Sequence, residues 1–221
     1  MPAREKTALP KSKNEIVGIL TEAILSNKIK PGERLNESEL ARQFHIRRAP
    51  IREALQQLEE QGLVLNTPRK GMFVTTLEEI DKQKINSVRL VLEAEALRLC
   101  RLNLKPEGER KLAQLIIKME RQAEGPAYEQ WRLDLEFHRT VWNLCGNEYL
   151  EKTLNGLTTP LFSHSVLTTP ERKKLHTVIV SHRELLEYVK GNSSRMLEEL
   201  LIEHYSTGFV HPGRFSSFDD Q

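Results

Sequence analysis

In the first third of the chain, apolar residues recur at helical spacing between clear turn signals. Ile16, Ile19, Leu20, Ala23 and Ile24 share one helix face, and Ser12 with Glu15 has capping-box spacing at its start. Pro31-Gly32 stops this helix near Lys30. Asn36 with Glu39 opens a second, short helix running through Leu40 and Phe44. After His45-Ile46-Arg47-Arg48, Pro50 falls where a helix-initiating proline is tolerated. Ile51, Ala54, Leu55 and Leu58 make the apolar face of a third helix, with Gly62 as its C-terminal cap. Leu63-Val64-Leu65 and Met72-Phe73-Val74 are β-type runs flanking Asn66–Gly71, the pattern of a hairpin.

From Leu77 onward the pattern predicts helices at about 78–103, 106–123, 126–145, 147–162, 171–190 and 193–209. Lys105-Pro106, Gly125-Pro126, Gly146-Asn147, Thr169-Pro170 and Gly191-Asn192 mark the breaks. The expected fold is mainly α, a winged helix-turn-helix at residues 12–76 followed by an antiparallel all-helical bundle at 77–210. A flexible basic arm (1–11) and a tail (211–221) flank them.

At 221 residues, 38% hydrophobic and 29% charged, the chain has the composition of a globular protein. No apolar run approaches the roughly 18–20 residues that cross a bilayer. MPAREKTALPKSK lacks the apolar stretch of a signal peptide, so a cytoplasmic protein without membrane contact is expected. Cys100 and Cys145 form no CxxC pair and read as buried free thiols. The overall charge of +2 conceals an asymmetry: residues 1–77 carry a net +4 and residues 78–221 a net −2. A basic front half joined to a mildly acidic back half suits a nucleic-acid module attached to something else.

Arg47, Arg48 and Arg52 cluster at the start of the third helix. In a helix-turn-helix, that helix enters the major groove and its N-terminal residues meet bases or phosphates. The planar fork of arginine grips guanine or phosphate bidentately, and a helix N-terminus favours phosphate. Arg69-Lys70-Gly71 would form a wing against the DNA backbone or minor groove, with Gly71 permitting the turn. A small α/β domain with solvated arginines fits the same local pattern.

Residues 31–74 closely resemble the N-terminal domain of the GntR family of regulators. The resemblance lies in Leu35-Asn36-Glu37, Leu40-Ala41, Pro50-Ile51-Arg52-Glu53-Ala54-Leu55, Leu58-Glu59, Gly62-Leu63 and Pro68-Arg69-Lys70-Gly71. It implies that Arg48, Arg52 and Gly71 contact DNA, with Ser38, Arg47 and Pro50 also at the interface. Where the family usually has Ser or Thr, this chain has Arg47 and Ala49. Alanine at an N-cap costs about 1 kcal/mol relative to Ser or Thr, and Arg47 would supply a phosphate contact instead.

Four ligating residues interrupt apolar helical stripes in the second half. Asp134 and His138, four apart, share one face with Trp131, Leu135, Val141 and Trp142 on or beside it. His182 runs with Val178, Ile179, Leu185, Leu186 and Val189, and His204 with Leu197, Leu200 and Leu201. Three imidazoles and a carboxylate suit a divalent ion such as zinc, nickel or manganese. Core histidines satisfied by hydrogen bonds fit the same stripes, and His45, His164, His176 and His211 make histidine common here.

Residues 78–210 resemble the FCD effector-binding domain of the FadR branch of GntR regulators. Val88-Arg89 with Leu92-Glu93, Asp134-Leu-Glu-Phe137-His138 with Gly146-Asn147 and Leu150, Ser181–Leu186 with Gly191-Asn192, and Glu203-His204 carry this looser match. It implies that Asp134, His138, His182 and His204 are the metal ligands and that acyl-CoA is not the ligand. It also implies that Arg89 lies beside the effector cavity, where it would pair with a carboxylate. An intrahelical pair with Glu93 is the other reading of Arg89.

The expected function is a sequence-specific transcription regulator, a repressor, whose affinity for double-stranded operator DNA responds to a small organic-acid effector at a metal-containing helical domain. A homodimer follows from operator geometry, with half-sites about one helical turn, ~34 Å, apart. The rival reading is a metal-dependent enzyme acting on a small carboxylate. A third is an architectural DNA-binding protein without an effector.

Overall fold

The computed structural model describes residues 12–25, 28–125, 127–168 and 175–207. The expected arm at 1–11 and tail at 211–221, the break at Thr169-Pro170 and His211 lie outside them. The chain divides into two compact units, Met1–Thr76 and Leu77–Gln221.

In the first unit the order is α1 (Lys13–Leu25), β1 (Arg34–Leu35), α2 (Glu37–Gln43), α3 (Arg48–Glu60), β2 (Val64–Thr67) and β3 (Gly71–Val74). Ile16, Leu20 and Ile24 of α1 and Ile51, Ala54, Leu55 and Leu58 of α3 are buried, each set recurring every three or four residues. Ser12 Oγ accepts the Glu15 N–H at 3.3 Å, as capping-box spacing demands. The helix ends at Leu25, short of Lys30, and the Ala23 carbonyl accepts from the N–H groups of Lys28 and Ile29 instead. Asn36 caps α2, its side chain accepting from the N–H groups of Ser38 and Glu39.

The N-cap of α3 is Arg47, so Ala49 and Pro50 are its second and third helical residues. Neither takes the cap or first position that the sequence suggests. Pro50 is tolerated because its missing N–H falls among the four that have no intrahelical partner. At the other end Gly62 adopts φ 71°, and Gly62 and Leu63 donate to the carbonyls of Glu59 and Leu58 at 2.8 and 2.9 Å. This is a Schellman closure, which needs a left-handed residue.

The hairpin forms with β3 in the middle of a three-stranded antiparallel sheet. Its register pairs Val64 with Val74 and Thr67 with Gly71. The third strand, β1, pairs Arg34 with Phe73 and Leu35 with Met72. Two residues give no period to read, so sequence patterning misses it. At the turn Arg69 is at φ 66° and Gly71 at φ 104°.

The second unit contains α4 (Glu79–Asn103), α5 (Pro106–Arg121), α6 (Ala127–Leu144), α7 (Glu148–Thr168), α8 (Leu175–Val189) and α9 (Leu197–Thr207). No strand occurs there among the described residues. Long α4 packs against α6, α7, α8 and α9, which places it at the centre. Leu97, Leu112, Phe137, Trp142, Leu154, Leu185 and Leu201 are among the residues of its core. Helix α7 runs through Pro160 to Thr168, past the expected end near 162. Helix α9 begins at Leu197 rather than near 193, because the Ser193 hydroxyl accepts the Arg195 N–H in a local turn. Cys100 and Cys145 are buried free thiols, and burial pushes Cys100 up to about 12. No helix among the described residues is long and apolar enough to cross a membrane.

The closure at Gly62 is testable. An L-residue in the left-handed region costs roughly 1–2 kcal/mol. Gly62→Ala should lower the unfolding free energy of the first unit by about that amount, measured by urea denaturation.

Candidate metal centre and nucleic-acid interface

The residues expected at DNA fall in the first turn of α2, at and after the start of α3, and at the hairpin tip of the first unit. Ser38 is exposed in the first turn of α2. Arg47 and Arg48 are exposed at the start of α3, and Pro50 is half-buried. No side chain caps α3, so its first N–H groups keep the character of an anion site. Arg69 and Lys70 are exposed at the tip, with Gly71 half-buried behind them.

Arg52 has a partner that sequence reading misses. Its Nε donates to Glu37 at 3.2 Å and its Nη2 to Glu37 Oε2 at 3.0 Å. The Nε–Nη2 edge of the guanidinium is thus held by Glu37 of α2. The two residues are fifteen apart, so no local spacing announces the pair.

In the second unit His138 of α6, His182 of α8 and His204 of α9 converge. One ring nitrogen of each lies within 4.8 Å of the others, a group that could hold a metal ion. Hydrogen bonds around the rim decide which nitrogens those are. His182 Nδ1 lies 2.7 Å from the Val178 carbonyl, which only accepts, so Nδ1 carries the proton. Ser181 Oγ lies 2.8 Å from the same carbonyl and 2.9 Å from His204 Nδ1. Glu93 Oε1 stands 3.4 Å from His138 Nδ1 and only accepts. Each Nδ1 therefore faces a polar partner on the rim, and each Nε2 faces inward.

Inside the ring, His138 Nε2 and His204 Nε2 are 3.1 Å apart. Asp134 Oδ1 sits 2.8 Å from His182 Nε2, a buried nitrogen with no hydrogen-bond partner when its Nδ1 bears the proton. Two acceptors that close attract only with a positive charge between or on them, either a proton or a cation. Donors ~2.1 Å from a common ion stand ~3.0 Å apart at right angles and ~3.4 Å apart in a tetrahedron. The observed separations fit such a donor set. Asp134 reaches the group through His182.

Behind His138 lies a second buried layer. Arg89 and Glu93, one turn apart on α4, are each 2% exposed. Arg89 Nε donates to Glu93 Oε1 at 3.0 Å, so the intrahelical pair forms. Tyr205 OH donates to Glu93 Oε2 at 2.7 Å, and the Arg89 guanidinium lies 4.5 Å over the Tyr205 ring. Burial would raise the Glu93 carboxyl, but Arg89, His138 and the Tyr205 hydroxyl hold it far below the carboxylate range. Burial is likewise outweighed at Asp134, which His182, His138 and Arg89 hold low. Burial, its two histidine neighbours and Arg89 push His204 well below 6.5, which keeps the ring neutral.

Ser181 and Tyr205 complete this polar centre and were not singled out as site residues by the sequence; Asn86 is a further buried polar residue of α4. Tyr205 and Ser181 adjoin His204 and His182 in the chain, and Asn86 precedes Arg89 by one turn on the inward face of α4. Each looks like an ordinary helix residue until the helices meet. Of the remaining histidines, His45 and His176 are exposed. His164 is a buried core residue whose Nδ1 accepts the Leu77 N–H at 3.0 Å.

A basic winged helix-turn-helix joined to a helical unit with a buried polar centre defines a DNA-binding regulator that carries a sensor. Residues 12–74 match the bacterial regulatory proteins of the gntR family, and residues 84–207 match the FCD domain. The chain belongs to the GntR family of transcription regulators, in the branch with an FCD domain. It is 27% identical over 198 residues to the uncharacterized HTH-type transcriptional regulator YdhC of Bacillus subtilis, covering 87% of each chain. It is 35% identical over 133 residues to the Nta operon transcriptional regulator of Aminobacter aminovorans, covering 60% of this chain and 63% of that one. The solved structure of Escherichia coli McbR/YncC shares the fold, with a TM-score of 0.66 at 22% identity over 87% of this chain and 92% of that one. These relatives lend the metal-dependent enzyme reading no support.

The neutral His204 has a pH signature. Its folded form resists protonation while the unfolded ring takes up a proton near 6.5, so its contribution is complete above 6.5 and lost as pH falls below it. His164, lowered by burial and by Lys82, acts in the same direction. Thermal melts of chelator-treated protein should show the second unit losing stability from pH 7 to 5.5. Melts independent of pH there would contradict a neutral buried His204.

Proposed function

We propose that the chain is a metal-containing, ligand-responsive repressor that acts as a homodimer in the cytoplasm. The observation that carries the metal is the convergence of one ring nitrogen from each of His138, His182 and His204 within 4.8 Å of one another, with Asp134 beside His182 and each Nδ1 held by a partner on the rim. Imidazoles that bind a metal characteristically donate their other N–H to a carbonyl, hydroxyl or carboxylate. Asp134, His138, His182 and His204 hold one divalent ion, zinc, nickel or manganese. The remaining coordination positions accept oxygen from a small organic acid, and Arg89 adds a guanidinium beside them. Occupancy shifts the helical unit between two states that differ in operator affinity.

Elemental analysis of protein purified without an affinity tag tests the metal. About one divalent ion per chain is expected, and His182→Ala should lose it. Free metal at a hundredfold excess over its Kd should stabilise the fold by about 2.7 kcal/mol, a gain that chelation reverses. Metal retained by the His182→Ala and His204→Ala variants would remove the assignment.

On the DNA side, Ser38, Arg47, Arg48, Pro50 and Arg52 meet the operator from α2 and α3, and Arg69, Lys70 and Gly71 meet it from the wing. The uncapped start of α3 supports a phosphate there, and the exposed Arg48 beside it is the candidate base reader. Arg48→Ala should weaken specific binding by about 1–3 kcal/mol, read by fluorescence anisotropy on operator and scrambled duplexes. Equal operator affinity in Arg48→Ala, Arg52→Ala and the parent protein would overturn the interface.

A further inference from the structure

Among the described residues, Arg89, Glu93 and Asp134 are the only buried side chains of the Asp, Glu, Lys and Arg types. Their contacts are those of ions. Glu93 accepts from Arg89 Nε at 3.0 Å and from Tyr205 OH at 2.7 Å, and Asp134 lies 2.8 Å from His182 Nε2. One positive and two negative charges leave this core at −1. The next guanidinium along α6, Arg139, is half-buried and donates to Thr159 Oγ1 at 2.9 Å on the α7 side. It stands outside the buried set.

A divalent ion held by neutral imidazoles takes the count from −1 to +1. An uncompensated charge out of water is costly, so the loaded core favours one further negative charge and resists two. We infer that the effector enters this core with a single negative charge: a monocarboxylate whose other polar groups are neutral hydroxyls, rather than a di- or tricarboxylate. A second carboxylate in the same core would return it to −1. A hydroxyl beside the carboxylate adds a neutral oxygen donor for the ion without altering the count. The inference rests on the metal reading above. Within it, Glu93 sets the preference: its carboxylate cancels Arg89, so the ligand answers the metal's surplus alone.

Matched anions test this on the full chain, with metal content measured first. Lactate is compared with tartronate and gluconate with glucarate by calorimetry at fixed ionic strength; within each pair the carbon count is the same and a terminal methyl or hydroxymethyl is exchanged for a carboxylate. The monoanion should bind at least tenfold more tightly in every pair that binds. Glu93→Gln raises the loaded core to +2 and should shrink that ratio at least tenfold or reverse it. The double variant Arg89→Met with Glu93→Gln removes opposite charges and keeps +1; it should weaken binding of both anions by the loss of the Arg89 contact, and the ratio should still favour the monoanion. It also serves if the single variant does not fold. Tighter dianion binding to the metal-loaded parent, an unchanged ratio in Glu93→Gln, a preference lost in the double variant, or no binding of any of the four would each overturn the inference while the metal reading stands. A chain that holds no divalent ion overturns the metal reading, and the count with it.

Discussion

The second unit is organised around three buried imidazole rings, each fastened by its outer nitrogen. A carbonyl, a hydroxyl and a carboxylate stand beside the Nδ1 atoms of His182, His204 and His138. Each such partner orients a ring, and the three Nε2 atoms are turned to the same point. The rest of the unit can be traced from that requirement. Asp134 and His138 need four-residue spacing on α6, Ser181 and His182 must be neighbours on α8, and α9 must present His204 and Tyr205 together. Polar groups this deep are tolerated because partners already meet them, as with Glu93, which accepts from both Arg89 and Tyr205.

This arrangement stores charge as well as geometry. Arg89 and Glu93 pair within α4, while Asp134 is met by His182 at 2.8 Å. The pair on α4 is therefore more than a packing device. Through Glu93 it touches His138 on one side and Tyr205 on the other, so a single carboxylate joins α4 to α6 and α9.

The first unit follows a different logic, with its polar groups on the surface. Arg47 leaves α3 without a side-chain cap, and Arg69 adopts a left-handed backbone that favours glycine. Both features cost stability in isolation, and both sit where phosphates would be met. The Glu37–Arg52 pair is exposed and adds little to stability, but it holds the Nε–Nη2 edge of the guanidinium.

The helices of both units, the Schellman glycine after α3 and the β2–β3 hairpin were all legible in the sequence. Each depends on residues within a few positions of one another: apolar period, capping pairs, Gly62 and the run from Asn66 to Gly71. The family resemblance was equally legible, because the motifs that carry it are local strings. Helix ends were less so: Ala23, Pro160 and Ser193 moved three boundaries through hydrogen bonding and backbone continuity that periodicity does not encode. The candidates Asp134, His138, His182 and His204 stood out as ligating residues on apolar stripes. Their meeting point, and the partners that hold each Nδ1, depend on the packing of α6, α8 and α9. Glu93 read as half of an ordinary helix pair, and nothing in the sequence singled out Tyr205. Only the tertiary structure joins them, since 112 residues separate the two ends of that hydrogen bond and proximity across such a distance is decided by burial of the whole core.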